Sequence, residues 1–307
     1  MNGDFAGRTA LAASHAIMMA RERGAVAKAR GWLHIRAMSI ARLLPSLLAG
    51  LSIVLACAGG AGAASSGWHH VEGGSIRIVT SGEPDAGGLL RGALEIRLKP
   101  GWKTYWLDPG SAGVPPTLTA LAGETDAAVE IGFPPPSRFD DGYAAWAGYD
   151  QPVSLALTMA LPQGATTPAR LEASVFLGVC ETICIPVQAT LSFDPRNSMA
   201  DPADAAVVEA AFAALPAPAR PDFSAALARA DDKAVVIRPV LPAGVRALDL
   251  FVAGTESLVL GTPEKAGEDG TFRVPVSLRT GEAGADVTYT LVTDAGAVTG
   301  VIAVPPR

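Results

Sequence analysis

The sequence predicts an all-β protein, and three observations carry that prediction. Apolar and polar residues alternate at period two over many short stretches, Gly and Pro signals separate those stretches, and only one segment has a helical pattern. Composition agrees, with 33 Gly and 24 Pro in 307 residues, 18% charged residues and a net charge of −6. A mildly acidic chain without a basic stripe cannot follow a phosphate backbone, so nucleic acid is not an expected partner.

In chain order, residues 1–37 hold Arg21, Arg23, Lys28, Arg30 and Arg36 among alanines and read as a non-native or extended leader. Residues 38–63 read as a secretory signal peptide, which implies a periplasmic, oxidising setting. Met38 to Arg42 supply a short basic start, Leu43 to Ala56 an apolar stretch, and Ala61-Gly62-Ala63 a small-residue cleavage site. The stretch contains Pro45 and falls short of the roughly 20 residues of a comfortable membrane span. Cys57 follows Val54-Leu55-Ala56, which resembles a lipoprotein acylation box, so anchoring through Cys57 is the alternative to its removal. After cleavage before Ala64 about 244 residues remain, enough for two β domains. No later apolar run approaches the ~18 residues of a span, so a membrane partner is expected to be a separate polypeptide.

Residues 64–196 form the first expected domain. Strands are predicted at Ser75 to Thr80, Leu89 to Leu98, Ala127 to Phe133 and Val153 to Leu161, followed by a hairpin. Within the second of these, Leu94, Ile96 and Leu98 face in and Glu95, Arg97 and Lys99 face out. Short antiparallel strands without helices between them indicate an immunoglobulin-like β-sandwich. Residues 197–221 read as one linking helix and a Pro-rich linker. Asp201 is the N-cap, Pro202 the first helical residue, and Val207, Val208, Ala211, Phe212 and Leu215 the apolar face. Pro216, Pro218 and Pro221 then suggest a stiff spacer. Residues 222–307 read as a second β-rich domain, with strands at Ala234 to Val240, Ala247 to Val252, Ser257 to Leu260, Thr271 to Leu278, Asp286 to Val292 and Val298 to Val304. It has no Cys or His and reads as a docking or spacing module.

The reactive feature is a Cys-x3-Cys hairpin. Leu171, Ala173, Val175, Leu177 and Val179 alternate with Glu172, Ser174, Phe176 and Gly178 before it, and Val187, Ala189, Leu191 and Phe193 alternate with Gln188, Thr190 and Ser192 after it. A loop of Glu181, Thr182 and Ile183 sets Cys180 opposite Cys184, at a separation of roughly 4.5–5.5 Å that a disulfide accepts. A ring this small stabilises by only about 2 kcal/mol in the chain-entropy model, and a pair at a loop tip is open to thiolate attack. Thiol-disulfide exchange is therefore favoured over a structural staple or metal ligation. No cofactor is called for.

Several separated motifs resemble the N-terminal periplasmic domain of the thiol:disulfide interchange protein DsbD and of the related suppressor-of-copper-sensitivity (ScsB) membrane reductases. They are Gly101-Trp102-Lys103-Thr104-Tyr105-Trp106 with Asp108-Pro109-Gly110 and Gly113-Val114-Pro115-Pro116, Phe133-Pro134-Pro135-Pro136 with Arg138-Phe139 and Gly148-Tyr149, and the cysteine hairpin. The resemblance implies an immunoglobulin-like sandwich whose Cys180/Cys184 pair receives electrons from a membrane-embedded thiol reductase and passes them to thioredoxin-like periplasmic proteins. Cytochrome c maturation and copper tolerance are the processes such relays serve. It further implies an aromatic cap over the disulfide from the stretch 139–146, with Phe139 or Tyr143 preferred to Trp146 and Gly142 as a hinge. Tyr105 is expected on the bordering strand, and Cys184 as the residue that forms the mixed disulfide. Glu181 and Asp140 are candidates for tuning a thiol, since a nearby carboxylate raises its pKa.

Two features differ from the best-known members of this family: the interval between the cysteines is shorter, and the 307 residues carry neither a membrane bundle nor a thioredoxin-like domain. The same spacing is similar to that of copper-delivering Sco proteins, and thiolates suit Cu(I). Those proteins place the pair between strand and helix and add a distant histidine, whereas both flanks here read as strands and His69 and His70 lie near the start of the sandwich.

Overall fold

The computed structural model describes residues 65–82, 84–110, 113–140, 142, 145–162, 170–196, 202–267 and 270–306. The proposed leader with Cys57, the N-cap Asp201 and the cap candidate Tyr143 lie outside them. Eleven strands come first: β1 (His69–Val71), β2 (Gly74–Thr80), β3 (Leu89–Leu98), β4 (Lys103–Tyr105), β5 (Thr117–Ala122), β6 (Thr125–Gly132), β7 (Ser137–Asp140), β8 (Ala145–Tyr149), β9 (Val153–Ala160), β10 (Leu171–Cys180) and β11 (Cys184–Phe193). Helix α1 (Pro202–Ala213) leads to β12 (Ala217–Pro218), β13 (Ser224–Ala230), β14 (Ala234–Val240), β15 (Ala247–Ala253), β16 (Leu258–Leu260), β17 (Glu264–Ala266), β18 (Thr271–Arg279), β19 (Ala285–Thr293) and β20 (Gly296–Val304). The protein is thus mostly β, a sandwich followed by a second β-rich region.

The sandwich is closed by a strand that changes sheets. The first half of β6 pairs with β5 and its second half, Ala128 to Gly132, with β9, so the β1-β2-β3-β9 layer passes into the β5-β10-β4-β8-β7 layer. The inward residues of the alternating strands, among them Ile78, Leu94, Leu155, Leu157, Leu171 and Leu177, are fully buried in one shared core. Each such side chain contributes about 1.5–3 kcal/mol of gross burial energy.

One expectation needs correction. Glu95 was placed on the outer face by strict alternation, yet it is 7% exposed. The reason is α1, which lays Val208 and Ala211 over Val79, Ala93 and Ala156 and so covers the outer face of β2, β3 and β9. Burial of Glu95 is made tolerable by the Arg77 guanidinium, which binds both Glu95 and the buried Asp204 of the helix. The Pro-rich linker is held in place by pairing. Ala217 and Pro218 pair in parallel with Val298 and Thr299 of β20, and the Ala219 N–H donates to the Thr299 carbonyl at 2.8 Å.

In the second region, β12-β20-β19-β15 faces β13-β14-β18-β16, with β17 beside β18. Val235, Ile237, Leu250, Phe272, Val287 and Leu291 fill its core. Among the described residues no helix is long and apolar enough to cross a membrane.

Candidate functional site: a disulfide at a hairpin tip

Strands β10 and β11 pair without a break from Leu171↔Phe193 to Cys180↔Cys184, leaving Glu181, Thr182 and Ile183 as the loop. The two cysteines form a disulfide with S–S 2.11 Å and Cα–Cα 4.1 Å. Their environments differ. Cys180 is 2% exposed, while Cys184 is exposed at the start of β11. The cause is the other edge of β10, where Val179 and Cys180 pair with Thr104 and Lys103 of β4. Among the described residues no strand pairs with Cys184 on its other edge in the same way.

Tyr105 ends β4 and is buried, with its hydroxyl 2.9 Å from Cys180 Sγ and 3.1 Å from Cys184 Sγ. The ring fits because small residues surround it. A Cβ at Gly113 would lie 2.7 Å from Tyr105 Cδ1, and one at Gly178 would lie 3.2 Å from its Cε2. This is the structural use of the glycine in the Gly113-Val114-Pro115-Pro116 motif.

Trp146 in β8 meets Tyr105 edge to face, with centroids 5.6 Å apart, and these two rings form a separate buried cluster with Cys180. Phe139 stacks on Trp146 at 4.1 Å and packs against this cluster. Among the described residues Tyr105 and Trp146 thus share a buried cluster with Cys180, and Phe139 packs against that cluster. Asp140 and Gly142 belong to the turn beyond β7: the exposed Asp140 carboxylate accepts the Gly142 N–H at 2.8 Å, and Gly142 has φ +84°. Glu181 is exposed in the loop.

Three residues at the site were not anticipated in these roles. Lys103 is the cross-strand partner of Cys180 and holds its ammonium 4.7 Å over the Trp146 ring. Paired residues of this kind bring their Cβ atoms to roughly 4.5–5.5 Å, and the ammonium is held over Trp146, the ring that packs with Cys180. Alternation along β4 puts Lys103 on the same face as Tyr105, but three residues are too few to show this in sequence. Ile183, 72% exposed, offers an apolar contact beside Cys184. Arg138 reaches away from the sulfurs toward Asp249 of β15. Lys103, Phe139, Asp140, Trp146, Asp150 and Gln151 line a surface groove of about 310 Å³. Behind it, burial raises the pKa of Tyr149, whose neutral phenol donates to the Pro134 carbonyl at 2.8 Å. Among the described residues no three His, Cys, Asp or Glu side chains gather into a metal-holding group. His69 and His70 lie on the edge strand β1.

A β-sandwich with an exposed sulfur bonded to a buried one at a hairpin tip, beside an aromatic cluster, supports a role of the thiol-disulfide interchange class. Residues 81–195 match the family described as Thiol:disulfide interchange protein DsbD, N-terminal, which bears out over that stretch the resemblance seen in the motifs. The crystal structure of the N-terminal periplasmic domain of ScsB from Proteus mirabilis is similar at TM-score 0.63 and 18% identity, covering 79% of this chain and 99% of that one. At this identity the likeness is one of fold, and its extent takes in the second β-rich region as well as the sandwich. No curated protein matches the chain.

Proposed function

We propose that this is a periplasmic electron-relay protein in which Cys180 and Cys184 exchange disulfides between a membrane-embedded thiol reductase and thioredoxin-like partners. The observation that carries this reading is the asymmetry of the pair, with Cys184 exposed and Cys180 buried under Tyr105 and Trp146. An incoming thiolate attacks Cys184 Sγ, the Sγ–Sγ bond breaks, and Cys180 leaves as a thiolate. A second thiolate of the donor then attacks the mixed disulfide, releasing Cys184 and leaving the donor oxidised by two electrons. The reverse sequence reduces a partner: Cys184 attacks its disulfide and Cys180 resolves the intermediate.

The surrounding groups suit these steps. Tyr105 Oη donates to whichever sulfur carries negative charge. The Lys103 cation favours the Cys180 thiolate against the cost of its burial. Ile183 supplies an apolar contact for the docking partner. The periplasmic setting rests on the signal-peptide reading of residues 38–63 and on the periplasmic domain named for the ScsB structure.

The test is the reduction potential of the purified protein against glutathione with copper excluded. A midpoint within about −120 to −270 mV supports the relay, and one well below about −300 mV makes the bond an inert staple. Partner trapping then separates the roles, since Cys180→Ala retains the attacking Cys184 and is expected to accumulate mixed disulfides while Cys184→Ala does not.

A further inference from the structure

Strand β7 is four residues long and lies at the end of its layer, hydrogen-bonded to β8 alone. So short an edge strand has little holding it within its own sheet. Its neighbours in sequence, Arg138 and Phe139, point to opposite faces as strand geometry requires. Phe139 stacks on Trp146, the ring packed with Tyr105 and Cys180. Arg138 enters the second β-rich region. Its Nε and Nη2 donate to Asp249 Oδ2 and Oδ1 at 3.0 and 2.9 Å, and Nη2 also donates to the Leu250 carbonyl at 2.8 Å. The guanidinium lies 4.8 Å over the Phe251 ring, and Phe251 in turn meets Trp106 edge to face at 5.9 Å.

We propose that the second β-rich region braces the redox site: β15 grips Arg138, and through β7 this grip holds Phe139 and Trp146 against Tyr105 and Cys180. Arg138 and Asp249 are positioning residues, remote from the sulfurs and acting through the aromatic stack. The bidentate fork is suited to this because it fixes the strand in angle as well as in distance, which a point charge does not. Apolar packing also crosses this seam, since Phe251 and Ala253 belong to the sandwich core, but beside Arg138 it is incomplete. A cavity of about 30 Å³ remains between Trp106, Arg138, Trp146 and Phe251, and the buried Trp106 Nε1 has no hydrogen-bond partner among the described residues. The second region thereby acquires a task at the disulfide without contributing an atom to it.

The proposal rests on the exchange reading of the pair, but its test does not. In the full chain with Cys184→Ala, Cys180 is the thiol under the stack, and its alkylation by a neutral haloacetamide at fixed pH reports how well it is covered. Asp249→Ala and Arg138→Met are each expected to speed alkylation at least fivefold. Arg138→Lys should restore part of the protection, and the double variant should be no faster than the faster single, because both changes break one contact. Should Asp249→Ala fold poorly, Asp249→Asn keeps one acceptor and is expected to give an intermediate rate, with faster amide exchange confined to β7 and β8. Rates within twofold of the parent in folded Arg138→Met and Asp249→Asn proteins overturn the brace, as do effects that multiply in the double variant. A disulfide that proves inert toward thiol partners would defeat the relay and leave these ratios standing, whereas unchanged ratios would defeat the brace and leave the relay standing.

Discussion

In the second β-rich region, Tyr289 of β19 sits opposite Gly300, where a Cβ would lie 2.7 Å from its hydroxyl, and that hydroxyl accepts the buried Ala225 N–H at 3.0 Å. In the sandwich, Tyr105 is likewise packed among glycines, and its hydroxyl meets two sulfurs. The packing device is shared and the partner differs. Tyr289 closes a hydrogen bond that folding requires. Tyr105 directs its polar end at a disulfide, and under the proposed exchange role that is the region where the chemistry takes place.

The strongest way to break the comparison is to remove each hydroxyl. Tyr289→Phe strands the Ala225 N–H, which costs about 1–3 kcal/mol and lowers the melting temperature by roughly 2–4 °C per kcal/mol at this size. Its rate of disulfide reduction by dithiothreitol should be unchanged. Tyr105→Phe should do the opposite, melting near the parent while exchanging severalfold more slowly. Calorimetry and stopped-flow kinetics on both proteins decide, and a Tyr105→Phe protein that loses stability but exchanges normally would erase the distinction.

A smaller effect sharpens the electrostatic side of the site. Lys103→Met in the Cys184→Ala background removes the cation opposite Cys180, so the thiol pKa should rise by about one unit, or roughly 1.4 kcal/mol. Lys103→Arg should keep it near the parent. Thiolate absorbance against pH measures both, and equal titrations in all three proteins would leave Lys103 a surface residue resting on Trp146.

The smallest effect lies far from the sulfurs. Asp294 accepts the Arg246 N–H at 2.9 Å and pairs with its guanidinium at 3.0 Å, and these contacts hold its carboxyl below the usual range. A depressed folded pKa gives stability that is present above the unfolded value near 3.9 and is lost as pH falls through the folded value. Asp294→Asn should therefore melt slightly below the parent at pH 6 and level with it at about pH 2, in thermal melts across that window. A gap that persists in acid would assign the difference to the side-chain hydrogen bonds alone.

How much of this was legible in sequence depended on how local the signal was. The hairpin was readable because two ten-residue strands alternate strictly on either side of a three-residue loop, and their register is observed as expected. Short strands were not. Lys103 to Tyr105 and Ser137 to Asp140 are too brief to show a period, and they are strands because β10 and β8 pair with them. Ser224 to Ala230 is alanine-rich and favours helix locally, but pairing with β14 overrides that preference. Glu95 was misplaced because its covering partner, the Asp204 helix face, lies far along the chain. The grip of Arg138 on Asp249 spans 111 positions and leaves no pattern in either neighbourhood.

The stitched linker has a kinetic consequence. Leu215 still packs on the sandwich side, and Ala217 already pairs with β20, so Pro216 is nearly all that separates the two anchored ends. A tether so short keeps Arg138 and Asp249 at high effective concentration, on the order of millimolar or above. Contacts that would be too weak to join two separate molecules then stay closed most of the time. When they do open, the parted surfaces remain within reach and re-form without a diffusional search, so each opening is brief.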